Sequence, residues 1–192
     1  MLIASDKLDK KRLFEIIEEI KHEITANRKD FFSEKDEIFF KVFFYPSKFK
    51  RVFRSKGLYS LLIYLVLKHK KINIPEFLFY YSFKNFEIFA YKKVEGVEVI
   101  EFLRQKHSKK DVEKFILDFK NFLKSFFKIN IYHKDFDPTN IIYSSKKEFY
   151  IIDFEAIVPF SFSNKKVKML QKLNRFFLSS FGFSIDKKDV LK

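Results

Sequence analysis

The chain has 192 residues, 47% of them hydrophobic and 20% aromatic, with a formal charge of +14 and no cysteine. That length suffices for one domain, or two small lobes, with a sizeable core; the missing cysteines exclude a disulfide framework and Cys-ligated zinc, and the four histidines form no HExxH-type pair. The charge is local: residues 1–40 are slightly acidic, whereas Lys41 through Pro75 hold nine Lys or Arg and no Asp or Glu.

In chain order, charge arrives at Asp6 before any apolar run long enough for a secretory signal, so a cytoplasmic location is the default expectation. Leu13, Ile16, Ile17, Ile20 and Ile24 fall at helical spacing among Glu15, Glu18, Glu19 and Glu23, which predicts an amphipathic helix. "DFFSEKDEIFFKVFFY" reads as a hairpin around the polar turn Ser33 to Glu37, with Lys41 in its second strand. A helix is expected from just after Pro46 to about Lys71. Its apolar stretch "LYSLLIYLVL" is about half of the ~20 residues that cross a bilayer, and so reads as buried. "INIPEFLFYYSFKNFEIFAYKKVEG" predicts a second hairpin, turning near Lys84 and Asn85, with Gly96 ending its strand. Ser108 with Asp111 marks a helix start, and Val112, Phe115, Ile116, Phe119, Phe122, Leu123 and Phe126 line one face of the helix that begins there. "EFYIIDFEAI" alternates like a buried strand, and "NKKVKMLQKLNRFFLSSFGF" closes the chain as a basic amphipathic helix. There is no internal repeat and no linker rich in Pro, Gly or Ser.

The basic segment "SKFKRVFRSK" interleaves cations with Phe and suits nucleic-acid phosphates, anionic lipid head groups or a phosphorylated sugar; a solvated helix face accounts for it equally. "IYHKDFDPTNII" is more specific. Asp135, Asn140 and Asp153 supply three hard oxygen ligands in two segments that one hairpin would bring together. Such ligands suit magnesium, which takes one or two protein carboxylates and completes its shell with phosphate oxygens and water. The combination points to phosphoryl transfer, in which the protein mainly positions and neutralises.

"HKDFDPTN" resembles the H-x-D-x-x-x-x-N catalytic loop of the protein-kinase-like superfamily, and "IIDFE" resembles the strand and metal-binding Asp of its D-F-G element. The ending IDFE is more similar to atypical kinases that phosphorylate sugars and small molecules, and among these the chain most resembles the lipopolysaccharide core kinases that act on Kdo or heptose. "IFFKVF", "INIPEFLFYY", "YKKVEGVEVIEFL" and "KLNRFFLSS" extend the likeness over about residues 37 to 181.

The resemblance implies an α+β, two-lobed protein-kinase-like fold, with a reduced N-terminal lobe at residues 1–94 and a mainly helical C-terminal lobe at 95–192. It implies an ATP- and Mg2+-dependent phosphotransferase in which Asp135 deprotonates a sugar hydroxyl, Asn140 and Asp153 hold metal, Lys41 contacts phosphates, and the backbone of Lys93, Val94 and Glu95 meets the adenine. His133, Asp137 and Glu155 take supporting roles, His133 by orienting the loop. The expected partners are ATP and a sugar or lipid-linked sugar acceptor. Residues 48–56 would touch an anionic membrane peripherally, a better match than nucleic acid. Two features depart from the family pattern: no acid lies between Lys41 and Glu76 to pair with the lysine, and Gly57, Gly96 and Gly182 are the only glycines, so none covers phosphates ahead of Lys41. A nucleotide loop would fall at "ITANRKDFF", using Asn27, Arg28 and Lys29. An aminoglycoside- or choline-type kinase, a small atypical protein kinase and a catalytically degenerate binding module stay open.

Overall fold

Alternating apolar residues in the first half of the chain build an antiparallel sheet, as the period of two along a strand requires. The structure, a computed structural model, describes residues 1–5, 9–23, 30–33, 36–47, 54–129, 131–153, 156–159 and 163–191. Its elements divide between two compact units, one of Met1–Tyr64 with Pro75–Lys93 and one of Leu65–Ile74 with Val94–Lys192. Residues 65–74 thus group with the second unit, so the units are not the contiguous halves 1–94 and 95–192. All sheets are antiparallel, and the architecture is mixed α and β, compatible with the α+β class.

In the first unit, β1 (Leu2–Ala4), β2 (Asp30–Ser33), β3 (Ile38–Phe44), β4 (Phe77–Phe83) and β5 (Phe86–Lys92) form one sheet in the order β1-β4-β5-β3-β2. Helix α1 (Lys10–Glu23) covers one face: Leu13, Ile16, Ile17 and Ile20 bury against Ile38, Phe40, Val42, Leu78, Phe79, Ile88 and Ala90. Arg12 ties this helix to the β2–β3 turn by donating to both oxygens of Asp36, at 3.1 and 2.7 Å. Residues on the alternate positions of β3, Phe39, Lys41 and Phe43, therefore take the face away from α1.

The helix expected after Pro46 begins at Lys56. It runs to His69 as α2. Its first amides are captured where it starts: Ser55 Oγ accepts from Leu58 N at 3.0 Å, and the Tyr45 hydroxyl accepts from Lys56 N at 2.7 Å. Glu87 takes the next one. Its carboxylate, 1% exposed, accepts from Gly57 N at 3.0 Å and from the hydroxyls of Tyr45, Ser55 and Tyr80 at 2.6, 2.6 and 2.7 Å. An anion at a helix N-terminus meets both free amides and the positive end of the macrodipole. A side chain at position 57 would not fit beside it, since a Cβ there would lie 2.7 Å from Tyr80 Cε2 and 3.1 Å from Glu87 Oε2.

In the second unit, β6 (Gly96–Glu98), β8 (Ile141–Ser144) and β9 (Phe149–Ile151) form a sheet in the order β6-β8-β9, and β7 (Ile131–His133) pairs with β10 (Ile157–Pro159). Gly96 opens β6, whereas β5 already ends at Lys92; a Cβ at Gly96 would meet the Tyr143 carbonyl oxygen at 2.4 Å, which explains the glycine at this crossing. Helices α3 (Val99–Arg104), α4 (Lys109–Lys128), α5 (Ser163–Phe181) and α6 (Lys187–Val190) complete the unit. Ser108 caps α4, accepting from Asp111 N at 3.2 Å and donating to its carboxylate at 2.6 Å. The aromatic stripe of α4 packs onto the sheet through Phe115, Phe119 and Phe122 against Phe149, and onto α5 through Phe119 and Phe177. From the stretch after α2, the Asn73 carbonyl accepts from Ile151 N at 3.1 Å, which brings residues 65–74 onto the edge of β9. Among the described residues no helix is long and apolar enough to cross a membrane.

Replacing Glu87 with Ala leaves three hydroxyls and an amide to find new partners, at ~1–3 kcal/mol for each buried group left unsatisfied. Glu87→Ala is expected to lower unfolding free energy by at least ~3 kcal/mol in a denaturant titration, with Glu87→Gln costing less because its amide oxygen still accepts. A loss below ~1 kcal/mol for Glu87→Ala would show that water replaces the carboxylate.

Candidate functional site

Residues 131–153 of the second unit carry five of the candidate site residues, His133, Asp135, Asp137, Asn140 and Asp153. β7 ends on His133, whose ring is fully buried, with Nε2 3.3 Å from the Ile152 carbonyl oxygen. That contact makes Nε2 the protonated nitrogen, and Nδ1 finds no hydrogen-bond partner among the described residues. Burial holds the imidazole below its ordinary range, against the opposing pull of the Ile152 carbonyl and the charges of Asp153 and Asp135. Burial thus favours the neutral ring, and His133 fastens the loop to the strand after it.

Beyond His133 two exposed residues precede a buried one. Lys134 and Asp135 are exposed, while Phe136 is 1% exposed and stacks on Phe126 of α4 with ring centroids 5.0 Å apart. This aromatic pin forces the residue before it outward, and explains why an apolar residue follows the candidate base. Asp137 turns the chain: one of its oxygens accepts from both the amide and the hydroxyl of Thr139, each at 3.1 Å, opening a short 3-10 turn at Pro138–Asn140. Pro138 fits there because the first position of such a turn has no amide partner to lose.

Asn140 closes the loop, its Nδ2 donating to the Asp135 carbonyl at 2.8 Å. This leaves Oδ1 as the atom through which it would hold a metal. The Asn140 carbonyl in turn accepts from Ile152 N at 3.1 Å, while β8 and β9 pair Ile141 with Ile151. The hairpin therefore sets Asp153 one residue past the partner of Asn140. Asp153 lies beyond the end of β9 with φ of +67°, a conformation Asp tolerates better than most residues and one that turns the chain out of the strand. Lys134 N donates to the Ala156 carbonyl at 2.8 Å, so both segments are stitched along their length.

Among the described residues no group of three or more His, Cys, Asp and Glu is placed to hold a metal ion. A magnesium ion held by one carboxylate and one amide, with phosphate oxygens and water, fits Asp153 and Asn140 as donors. Nearby, burial and the charges of Glu101 and Asp137 hold the Glu98 carboxyl above its ordinary range, with Arg104 opposing.

The other candidates lie elsewhere. Lys41 belongs to the first unit, half-buried on β3 opposite Asp30 of β2 and Phe89 of β5 in register. On that face Phe32, Phe39 and Tyr91 form a cross-strand ladder, with centroid separations of 4.6 and 5.8 Å. The Lys93 amide donates to the Glu37 carbonyl at 2.7 Å and its ammonium sits 5.0 Å above the Phe32 ring, while Val94 and Glu95 begin the longer segment of the second unit. Glu155, Asn27, Arg28, Lys29 and most of the basic segment 48–56, residues 48–53, lie outside the described residues. Three residues that hold or flank the loop carry no motif signal: Phe136, Thr139 and Lys172, whose ammonium lies 3.9 Å from Asp135 Oδ1. Only Phe136 had a readable cue, as the aromatic between two acids. No protein-family model and no curated protein matches the chain.

The sign of the His133 effect follows from its lowered value. Between the folded value and the ordinary ~6.5 the unfolded chain holds a proton that the folded one does not. Stability from this group is complete above ~6.5 and is lost as pH falls through the folded value. His133 ring resonances are expected to remain those of the neutral form at pH ~6.5, and the acid-side fall in thermal midpoint should flatten in His133→Phe. Half-protonation at or above that pH would contradict the assignment.

Proposed function

We propose that the chain is an ATP- and Mg2+-dependent phosphotransferase of the protein-kinase-like type, with a sugar hydroxyl as acceptor, in the first place one of the lipopolysaccharide core (Kdo or heptose). The observation that carries this reading is the loop itself. Asp135 is exposed between a buried His133 and a buried Phe136, and the bond from Ile152 N to the Asn140 carbonyl sets Asp153 one residue past the partner of Asn140, which supports the reading.

Asp135 orients the acceptor hydroxyl and receives its proton as the oxygen forms a bond to the γ-phosphorus and the bond to the ADP oxygen breaks. A bound magnesium ion would neutralise phosphate charge, and Asn140 Oδ1 with the Asp153 carboxylate would hold it. Lys41 contacts phosphate oxygens, and the Phe32, Phe39 and Tyr91 ladder offers a stacking surface for the base. The backbone of Val94 and Glu95 meets the adenine edge, the Lys93 amide being committed to Glu37. Asp30 of β2 stands opposite Lys41 in register. The two-lobed kinase arrangement, a cytoplasmic setting and peripheral contact of residues 48–56 with an anionic membrane belong to the same reading.

A second reading is favoured by the absence of any glycine before Gly57: a kinase-like module that binds an anion without turnover. Magnesium-dependent ATP consumption, with and without purified lipopolysaccharide core acceptor, separates the two. Wild type is expected to turn over with acceptor present, and Asp135→Asn to lose about a hundredfold or more of that rate. Equal inactivity of both proteins would favour the binding module; equal activity would remove Asp135 from the mechanism. An acceptor screen that preferred aminoglycosides, choline or a protein would reassign the substrate.

A further inference from the structure

Helix α5 presents a second feature beside Asp135. Lys165, Lys168, Lys172 and Arg175 are all exposed, and at about 100° per residue they share an arc of roughly 80°, opposite the buried Met169, Leu170, Leu173 and Phe177. The helix contains no Asp or Glu. At ~1.5 Å per residue the stripe is ~15 Å long. One end lies over the loop strand, where Lys165 Nζ is 5.5 Å from the Tyr132 ring centroid; at the other, Arg175 borders an open groove with Gln171, Asn174, Leu178 and Ser184. Lys172, between them, reaches Asp135 Oδ1 at 3.9 Å.

That ion pair does little for the fold. Its side chains are 44% and 68% exposed, and such pairs contribute ~0–1 kcal/mol in water. At i,i+3 and i,i+4 spacing the four cations also repel one another. The stripe thus adds little to the stability of its own helix, and its Lys172 reaches the candidate base, so its value lies in what it attracts.

We propose that this face of α5 binds the acceptor through a phosphate group already on it, so that the substrate is a phosphorylated saccharide, with Lys172 the positioning residue that sets the bound saccharide against Asp135. Lys engages phosphate as a point charge and Arg as a bidentate fork, so three Lys and one Arg together suit a phosphate group. A phosphomonoester also brings nearly two negative charges where a carboxylate brings one. The acceptor role rests on the phosphotransferase reading; the anion site does not.

The test needs no turnover. The full chain, labelled for amide NMR, is titrated with a phosphorylated pentamannoside, the unphosphorylated pentamannoside, a trigalacturonate and a single-stranded oligonucleotide. The phosphorylated sugar is expected to shift amides of residues 165–179 and 134–136 and the neutral one to leave them unmoved. Lys168→Glu combined with Arg175→Glu should weaken its binding about tenfold or more. Lys172→Ala should bind the sugar yet abolish the shifts at 134–136, which a merely structural role for Lys172 would not do. Circular dichroism confirms that each variant folds. Shifts confined to other elements, equal response to the neutral sugar, or tighter binding of the trigalacturonate or the oligonucleotide would overturn the proposal. If the site binds as expected but ATP turnover is absent or indifferent to Asp135→Asn, the phosphotransferase reading fails while the anion site stands.

Discussion

The bond from Ile152 N to the Asn140 carbonyl is the constraint on which the candidate site depends. A strand that had slipped by one residue would present every side chain of 149–151 to the wrong face and carry Asp153 away from Asn140. The register is held from several directions: by the pairing of Ile141 with Ile151, by the His133 ring on the Ile152 carbonyl, and by Lys134 on Ala156. A short loop with two exposed charges is thereby kept in one shape without glycine or disulfide. Its rigidity comes from backbone pairing and from Phe136 buried against α4.

The first unit solves a different problem by related means. Its sheet has apolar residues on both faces, and α1 covers only one of them. Where α2 starts, a buried carboxylate takes the place a solvent-exposed cap would normally have, and the donors that satisfy it come from β3–α2, the helix itself and β4. One charged group thereby fixes the helix entry point and the spacing of two strands beneath it. It also accounts for Gly57, which leaves room for the Tyr80 ring.

Much of this was legible in the sequence where the signal was periodic. The stripes of α1 and α4, both hairpins, the Ser108 cap and the basic helix α5 follow from the local sequence, although a further helix, α6, comes after α5 where the sequence pattern closes the chain on α5. The start of α2 was not legible, because its cap is assembled from Tyr45, Ser55 and Glu87, which lie far apart in the chain. The same is true of the loop's surroundings: Asp135 and Asn140 stand in a recognisable pattern, but the stacking of Phe136 on Phe126 and the approach of Lys172 are products of tertiary packing. Lys172 looked like one cation among many in a lysine-rich chain, and only the helix register distinguishes it.

The assignment of Leu65–Ile74 to the second unit means that the polypeptide passes between the units three times, at 64–65, 74–75 and 93–94. Neither unit is therefore a continuous stretch of chain. During synthesis the first sheet cannot close until β4 and β5 have been made, and β9 finds Asn73 only after nearly eighty intervening residues. Such sequence-distant closures raise contact order, which slows folding. A chain wired in this way also resists being divided by evolution: neither unit can be passed on, duplicated or fused elsewhere by a single cut.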